Sequence, residues 1–385
     1  MSICFGVNNA LGQASAQDFQ RILKEKAAFN ESDFVTLERD QAVVRLGPVS
    51  DKREVAVLGI LNVRAGADEF LRSYRDGMTR KNNAAILEIG DFAREPGLVD
   101  LQNLTFETQD IEDLKECAVG DCEVKLSASM IERFRKEVNW QAPDYSLKAT
   151  QLYKQMLLDY VRDYRVRGEE ALIEYNDKRT GIDLAAEQRL LNTAPGYISH
   201  VLATHSDLHL IEDALVWSKI KFGLKPVIAI NHILIYRRDR EVGPQIVVAS
   251  NQIYANHYFN AFQALTAFVG VTGANQGYLV YENRSRADGL EGPFSKVKRS
   301  LVEKKALEGL RAILAHSKSS LDGSTGAEFS SNSNGWRQRL FGGIRPLLWV
   351  LVLSALIALL VLGRLRSESA TARKGKPLKP ESAKS

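Results

Sequence analysis

Eighteen consecutive residues without a charge, Pro346 to Gly363 (PLLWVLVLSALIALLVLG), lie between Arg345 and Arg364 and constrain this chain more than any other feature. At ~1.5 Å of rise per residue, a helix of that length is roughly 27 Å long, close to the hydrocarbon thickness of a bilayer. A single segment in lipid satisfies its own backbone groups only as a helix. Arginines at both ends and Trp349 near one boundary suit the two interfaces. The run therefore reads as one transmembrane helix at 344–363, with a buried core helix as the competing reading.

Charge around the run sets an orientation. Arg364, Arg366, Arg373, Lys374, Lys376, Lys379 and Lys384 follow it, whereas Arg337, Arg339 and Arg345 precede it. The excess predicts a cytoplasmic basic tail at 364–385 and an extracytoplasmic body, periplasmic if the cell is bacterial. That topology requires an export signal. Ala14-Ser15-Ala16 resembles a cleavage site, but Asn8 and Asn9 interrupt the apolar stretch Ile3–Gly12 and no lysine or arginine precedes it. Residues 1–16 thus read as a truncated signal segment. The alternative is a tail-anchored protein with its body in the cytosol. A net charge of +4 over 385 residues gives no reason to expect nucleic acid as a partner. The basic flanks suit anionic lipid headgroups instead.

Of three cysteines, Cys4 precedes the cleavage site, leaving Cys117 and Cys122. Gly120 and Asp121 are turn formers that bring those two together, so a small disulfide-closed loop is the preferred reading. Zinc would need two further ligands, and a thioredoxin-like pair needs two intervening residues rather than four. Two unconnected thiols are the plain alternative.

Periodicity gives the element order. Gln17–Phe29 reads as a short helix, Phe34–Leu46 and Glu54–Arg64 as strands, Gly66–Arg80 as a helix and Ala84–Phe92 as a strand. Helices follow at Ser129–Val138 and Leu147–Tyr175, the latter striped by Tyr153, Met156, Leu157, Tyr160, Val161 and Tyr164. A helical hairpin is expected over Ala185–Phe222. Val227–Arg237, Pro244–Ala255, Phe262–Val271 and Gly277–Arg286 read as four strands. A long amphipathic helix at Phe294–Leu321 then turns Phe294, Val297, Leu301, Leu310, Ile313 and Leu314 inward. Ser317–Gly335 is too polar to bury and reads as a leash, with the linker at 322–343. The expectation is an α+β body at 17–321 with a helical insertion at about 128–225.

An antiparallel sheet wrapped on a long C-terminal helix resembles the helix-grip fold of START-like (SRPBCC) proteins, over Val43–Phe92 and Val227–Leu321. The resemblance rests on element order. It implies a cavity beneath the terminal helix that takes a lipid, sterol, polyketide or other apolar ligand, and it carries over no catalytic residue.

Strand parity supplies candidate ligand contacts. His232 shares a face with Ile228, Ile230, Leu234 and Tyr236; Ser250, Gln252 and Tyr254 share one with Ile246 and Val248. His257 follows in the next turn. Arg284 and Arg286 point the same way and form either a candidate anion-binding fork, with Asp288 placed to neutralise one of them, or an exposed salt-bridged strand end, the plainer reading. His205 and His209, spaced i, i+4 with Asp213 beyond, are the best metal-site candidate if that segment is helical, but lack a third ligand. Asp110, Glu112, Asp113 and Glu116 read as a solvated helix face. No G-x-S-x-G, GxxxxGK[ST] or H-E-x-x-H occurs, so no cofactor is expected and catalysis is disfavoured. Three readings stay open. The first is a non-enzymatic, membrane-anchored binder of an apolar ligand or lipid. The second is a scaffold that docks another envelope protein, and the third a hydrolase with an unfamiliar site.

Overall fold

The segment EVAVLGILNV at Glu54–Val63 has no polar residue between Glu54 at its start and Asn62 near its end, and it becomes an interior strand covered on both sides. The computed structural model describes residues 19–25, 29–49, 51–78, 86–193, 208–221, 225–238, 245–271, 274–291 and 295–324. The apolar run Pro346–Gly363, the basic tail, segment 1–16 and His205 lie outside them. Among the described residues no helix is long and apolar enough to cross a membrane.

The fold is α+β. Its sheet contains β1 (Val43–Leu46), β2 (Glu54–Val63), β3 (Ile86–Asp91), β6 (His209–Ile220), β7 (Val227–Arg237), β8 (Ile246–Ala255), β9 (Ala261–Gly270) and β10 (Gly277–Arg286). Their order is β1-β2-β10-β9-β8-β7-β6-β3, and every neighbouring pair is antiparallel. A five-strand meander thus forms the middle, and strands from the start of the chain close both edges. β4 (Glu174–Tyr175) and β5 (Ile182–Asp183) make a separate ribbon. The helices are α1 (Glu31–Glu38), α2 (Ala67–Met78), α3 (Thr108–Lys115), α4 (Ala128–Glu137), α5 (Tyr145–Arg167), α6 (Leu184–Thr193) and α7 (Ser295–Ser324).

One face of the sheet packs against α2 and α7. Its core holds Leu61, Leu279, Phe268, Ile233 and Ile235 from the strands, Phe70 from α2, and Leu310, Ile313 and Leu314 from α7. At Gly59 an added Cβ would sit 2.6 Å from Leu314 Cδ1 and 3.0 Å from Leu310 Cδ2, so α7 lies directly on β2. The opposite face carries two apolar clusters. Helices α3–α5 cover Ile228, Ile230, Trp217 and Tyr254; α1 and residues 19–25 cover Leu58, Ile60, Val280 and Leu265. The tyrosine stripe of α5 is buried in the first of these.

Four expectations need correction. The stretch Phe34–Leu46 is not one strand: Asn30 and Asp33 form a capping box that starts α1, and only Val43–Leu46 is extended. The expected hairpin Ala185–Phe222 ends as a helix at Thr193, and His209–Ile220 is a strand buried at its C-terminal half. It belongs to the main sheet, so the stretch 128–225 is not wholly helical. Helix α7 continues to Ser324, so the start of the expected leash is helical; Ser317 is buried and Val297 is exposed. The helix expected over Leu147–Tyr175 starts at Tyr145 and ends at Arg167, where Gly168, at φ +60°, terminates it.

Candidate functional site

Strand β8 places Ile246, Val248, Ser250 and Gln252 on the α7 face in unbroken alternation. An extra residue, Ile253, then shifts the register between β7 and β8, so that Asn231 meets Gln252 while Ile230 meets Tyr254. Tyr254 is thereby turned to the α5 face. Its hydroxyl donates to the Lys125 carbonyl at 3.2 Å and lies 2.6 Å from the Tyr153 hydroxyl. The expectation that Tyr254 shares a face with Ser250 fails because of this bulge.

Ser250 and Gln252 remain under the helix layer. Across the sheet they neighbour Ile233 and Asn231 on β7; Ser250 also faces Ala264 on β9, which in turn faces Asn283 on β10. Ser250, Gln252, Asn231, Thr266 and Asn283 are all buried, among the small side chains Ala229, Ala255 and Ala264. Asn283 donates to the Gln263 carbonyl at 3.1 Å. By contrast Ser250 Oγ and Gln252 Nε2 are buried without a hydrogen-bond partner among the described residues. Two such groups, about 7 Å apart along one strand, each cost free energy unless water or a ligand atom completes them. This polar strip inside an apolar layer is the candidate site. Its rim toward β3 is acidic. Burial, then the nearby Glu212 charge, push the Asp91 carboxyl up, and Arg75 Nε holds Glu212 at 2.8 Å.

The other sequence candidates are engaged elsewhere. Arg284 and Arg286 share a face as expected, but it is the α5 face and both are buried among carboxylates. Arg284 donates to Glu54 at 2.6 Å, to Glu282 at 3.0 Å and to the Pro48 carbonyl. Arg286 donates to Glu187 and Asp51, each at 2.6 Å. Burial tends to raise the Asp51 carboxyl, but the hydrogen bonds and charges of Arg286 and Arg53 outweigh it and hold the pKa below the usual carboxylate range. The proposed anion fork is therefore already filled by the protein's own anions. Asp288 begins a one-turn helix, Asp288–Leu290, and its side chain lies outside the description.

His232 stands on the α5 face, bridging two partners. Its Nε2 is 3.1 Å from Asp213 Oδ1 and its Nδ1 is 3.0 Å from the Tyr164 hydroxyl; Arg165 also donates to Asp213 at 2.9 Å. Burial pushes the imidazole pKa down, more than Asp213 raises it. His209 opens β6 on the exposed side, and a bulge between Leu210 and Glu212 puts it on the opposite face from Asp213. His209 is in a strand rather than the helix the metal reading assumes, and His205 lies outside the described residues. Among the described residues no cluster of three or more His, Cys, Asp or Glu is suited to a metal ion.

His257 lies in the β8–β9 turn, where Tyr258 adopts φ +65°. Its Nε2 is 3.1 Å from both Asp110 carboxylate oxygens, Asn256 donates to Asp110 at 3.3 Å, and Lys225 Nζ is 3.4 Å away. Burial raises the Asp110 pKa, yet His257 and Lys225 together hold it below its ordinary value. Asp110 is thus a sealed partner rather than part of a solvated face. Sequence reasoning missed it because 147 residues separate the pair. The parity of Glu282, Arg284 and Arg286 on one strand was the available signal for the ion network. Cys117 and Cys122 are joined in a disulfide, as expected. Beside them Glu112, Asp113, Glu116, Asp121, Glu123 and Lys115 line an open acidic groove of about 410 Å³. Comparison of the chain with protein-family models, with curated proteins and with solved structures finds no match.

Proposed function

We propose that this chain is a single-pass membrane protein whose α+β body stands outside the cytoplasm and binds a lipid or other apolar ligand without catalysing a reaction. The observation that carries the reading is the strip on β8, where Ser250 Oγ and Gln252 Nε2 lie unpartnered within the apolar layer beneath α2 and α7. A ligand with a long apolar part and one polar group replaces apolar contacts with apolar contacts and gives these two atoms what they lack. The START-like order of elements supports the same placement, under the terminal helix. The layer is closed over the strip, so loading requires α2 or α7 to part from the sheet.

The disulfide supports an oxidising compartment, and Pro346–Gly363 with the basic residues beyond it supports the anchor and its orientation. The pairing of the reactive-looking groups supports a non-enzymatic reading. Asp110 and His257 are sealed against each other, and both arginines of the expected fork are bound to carboxylates.

Native mass spectrometry of the full-length protein released from detergent micelles tests the reading. Bound lipid should remain on the folded chain at stoichiometric occupancy. Repeated preparations that give only the bare polypeptide mass, before and after incubation with total membrane lipid, overturn it. One observation favours the second reading, an envelope scaffold. Val166 at the end of α5 and Leu210 and Ile211 on β6 stand exposed on two elements that the Arg165–Asp213 ion pair joins, and a protein partner would cover them.

A further inference from the structure

The strip on β8 also selects the chemistry of what it binds. We infer that the ligand of the α7 face carries an uncharged hydrogen-bonding head, an ester, amide or hydroxyl group rather than a carboxylate or phosphate, and that Ser250 and Gln252 seat it; this rests on the ligand-binding reading above.

The argument begins with the cations. Among the described residues the buried basic side chains are Arg238, which lies just past the end of β7 at Arg237, and Lys125, Lys219, Arg284 and Arg286. Lys219, Arg284 and Arg286 stand on the α5 face by strand register, and Lys125 lies in the α3–α5 layer that covers it. Each of these four is matched to carboxylates: Lys125 to Asp177, Lys219 to Glu107 and Glu88, Arg284 to Glu54 and Glu282, Arg286 to Glu187 and Asp51. None of the four turns toward Ser250. On the α7 face, Arg237 sits at the sheet's far end and pairs with Asp68 of α2. The charge closest to the strip by register is negative, since Asn231 meets Val216 and Val216 meets Asp91. An anionic head placed at Ser250 would be buried without a counter-charge, a costly arrangement, and the nearest charge by register, Asp91, is three strands away and of the same sign.

The donors fit the opposite choice. Gln252 Nε2 can only donate, and Ser250 Oγ can donate or accept. A carbonyl oxygen that accepts from Gln252, with a neighbouring hydroxyl or ester oxygen for Ser250, satisfies both without bringing a charge. Ala229, Ala255 and Ala264 around them leave the side-chain volume small where the head would sit.

The probes are 1-monooleoylglycerol and oleate, which share one acyl chain and differ in the head. Full-length protein in dodecylmaltoside, incubated with equal amounts of both at pH 8, is repurified and its bound lipid extracted and quantified. The inference expects monooleoylglycerol to be retained about tenfold or more over oleate, as burial of an unpaired carboxylate demands. Ser250→Ala/Gln252→Met should bring the ratio within about twofold of unity while leaving the melting temperature near that of the parent. Ser250→Ala alone, which removes one unpartnered group and little volume, should lower the ratio part of the way and serves if the double variant unfolds. Equal or preferred retention of oleate overturns the inference and leaves the ligand-binding reading intact. A preference that survives in the folded double variant overturns the assigned seat. Retention of neither probe, with no co-purified lipid, overturns the reading itself.

Discussion

Arg284 and Ser250 are both buried polar residues, and opposite rules govern their replacement. Arg284 holds Glu54 and Glu282 where water does not reach, so Arg284→Met removes the guanidinium that two buried carboxylates share. Breaking such a network by removing one partner costs about 3–5 kcal/mol. In the delipidated chain Ser250 Oγ has no partner among the described residues, so there Ser250→Ala should change stability by less than about 1 kcal/mol, with a gain the favoured sign. Urea denaturation of the two variants checks the contrast; equal losses would mean Ser250 has a partner. Protonation gives a further residue-scale test. His232 is held below its ordinary pKa near 6.5, so the unfolded chain binds more protons than the folded one in the window between the two values. The stability this contributes is complete above about pH 6.5 and is lost as pH falls through the folded value. Asp110 follows the same sign at lower pH, because its folded pKa also lies below the unfolded one. Melting curves from pH 7 to 5 should therefore flatten in His232→Gln, whereas Asp110→Asn should flatten the limb below about pH 4.

Elements whose burial differs between their two sides are legible in the sequence, and those decided by distant partners are not. Gly277–Arg286, though buried on both faces, is legible at its start, since turn residues precede it and its apolar opening is plain. The region His209–Ile220 misleads because ALVWSKI is buried on both faces and shows no two-residue alternation. Its i, i+4 histidines then suggest a helix that the sheet overrides. Tyr254 falls on the face opposite to the expected one because a one-residue bulge inverts parity and leaves no mark in composition. The strip itself is legible as Ser250 and Gln252, but its isolation from partners requires the packing. Gly59 is the element-scale counterpart. It lets α7 approach β2, so Gly59→Val should push Leu310 and Leu314 off the strand and cost about 1–3 kcal/mol. Leu314→Ala should hurt less in that background than in the parent, a coupling that a double-mutant cycle reads directly.

At the scale of the whole molecule, helix α7 joins the proposed ligand layer to the proposed anchor. Its C-terminal end is fixed to the sheet: Lys318 donates to Asp40 at 2.6 Å and to the Asn62 carbonyl, while Asp322 accepts from the Arg64 backbone at 2.7 Å. A pull on the chain after Ser324 is therefore transmitted to β2 rather than absorbed by a loose end. If the apolar run Pro346–Gly363 spans a bilayer, α7, one of the two helices on the strip's side of the sheet, is also the one nearest the membrane in sequence. That coupling has meaning only if the body and the basic tail lie on opposite sides. A cysteine introduced as Ser333→Cys should react with a membrane-impermeant maleimide in intact cells, and Lys376→Cys should react only after permeabilisation. The parent, with the Cys117–Cys122 bond intact, supplies the background. Labelling of Lys376→Cys alone in intact cells would invert the orientation. Protection of both until permeabilisation would place the body in the cytosol and remove the oxidising compartment from the argument. Recovery of the full-length chain without detergent would remove the anchor, leaving α7 as a lid with no tether to work against.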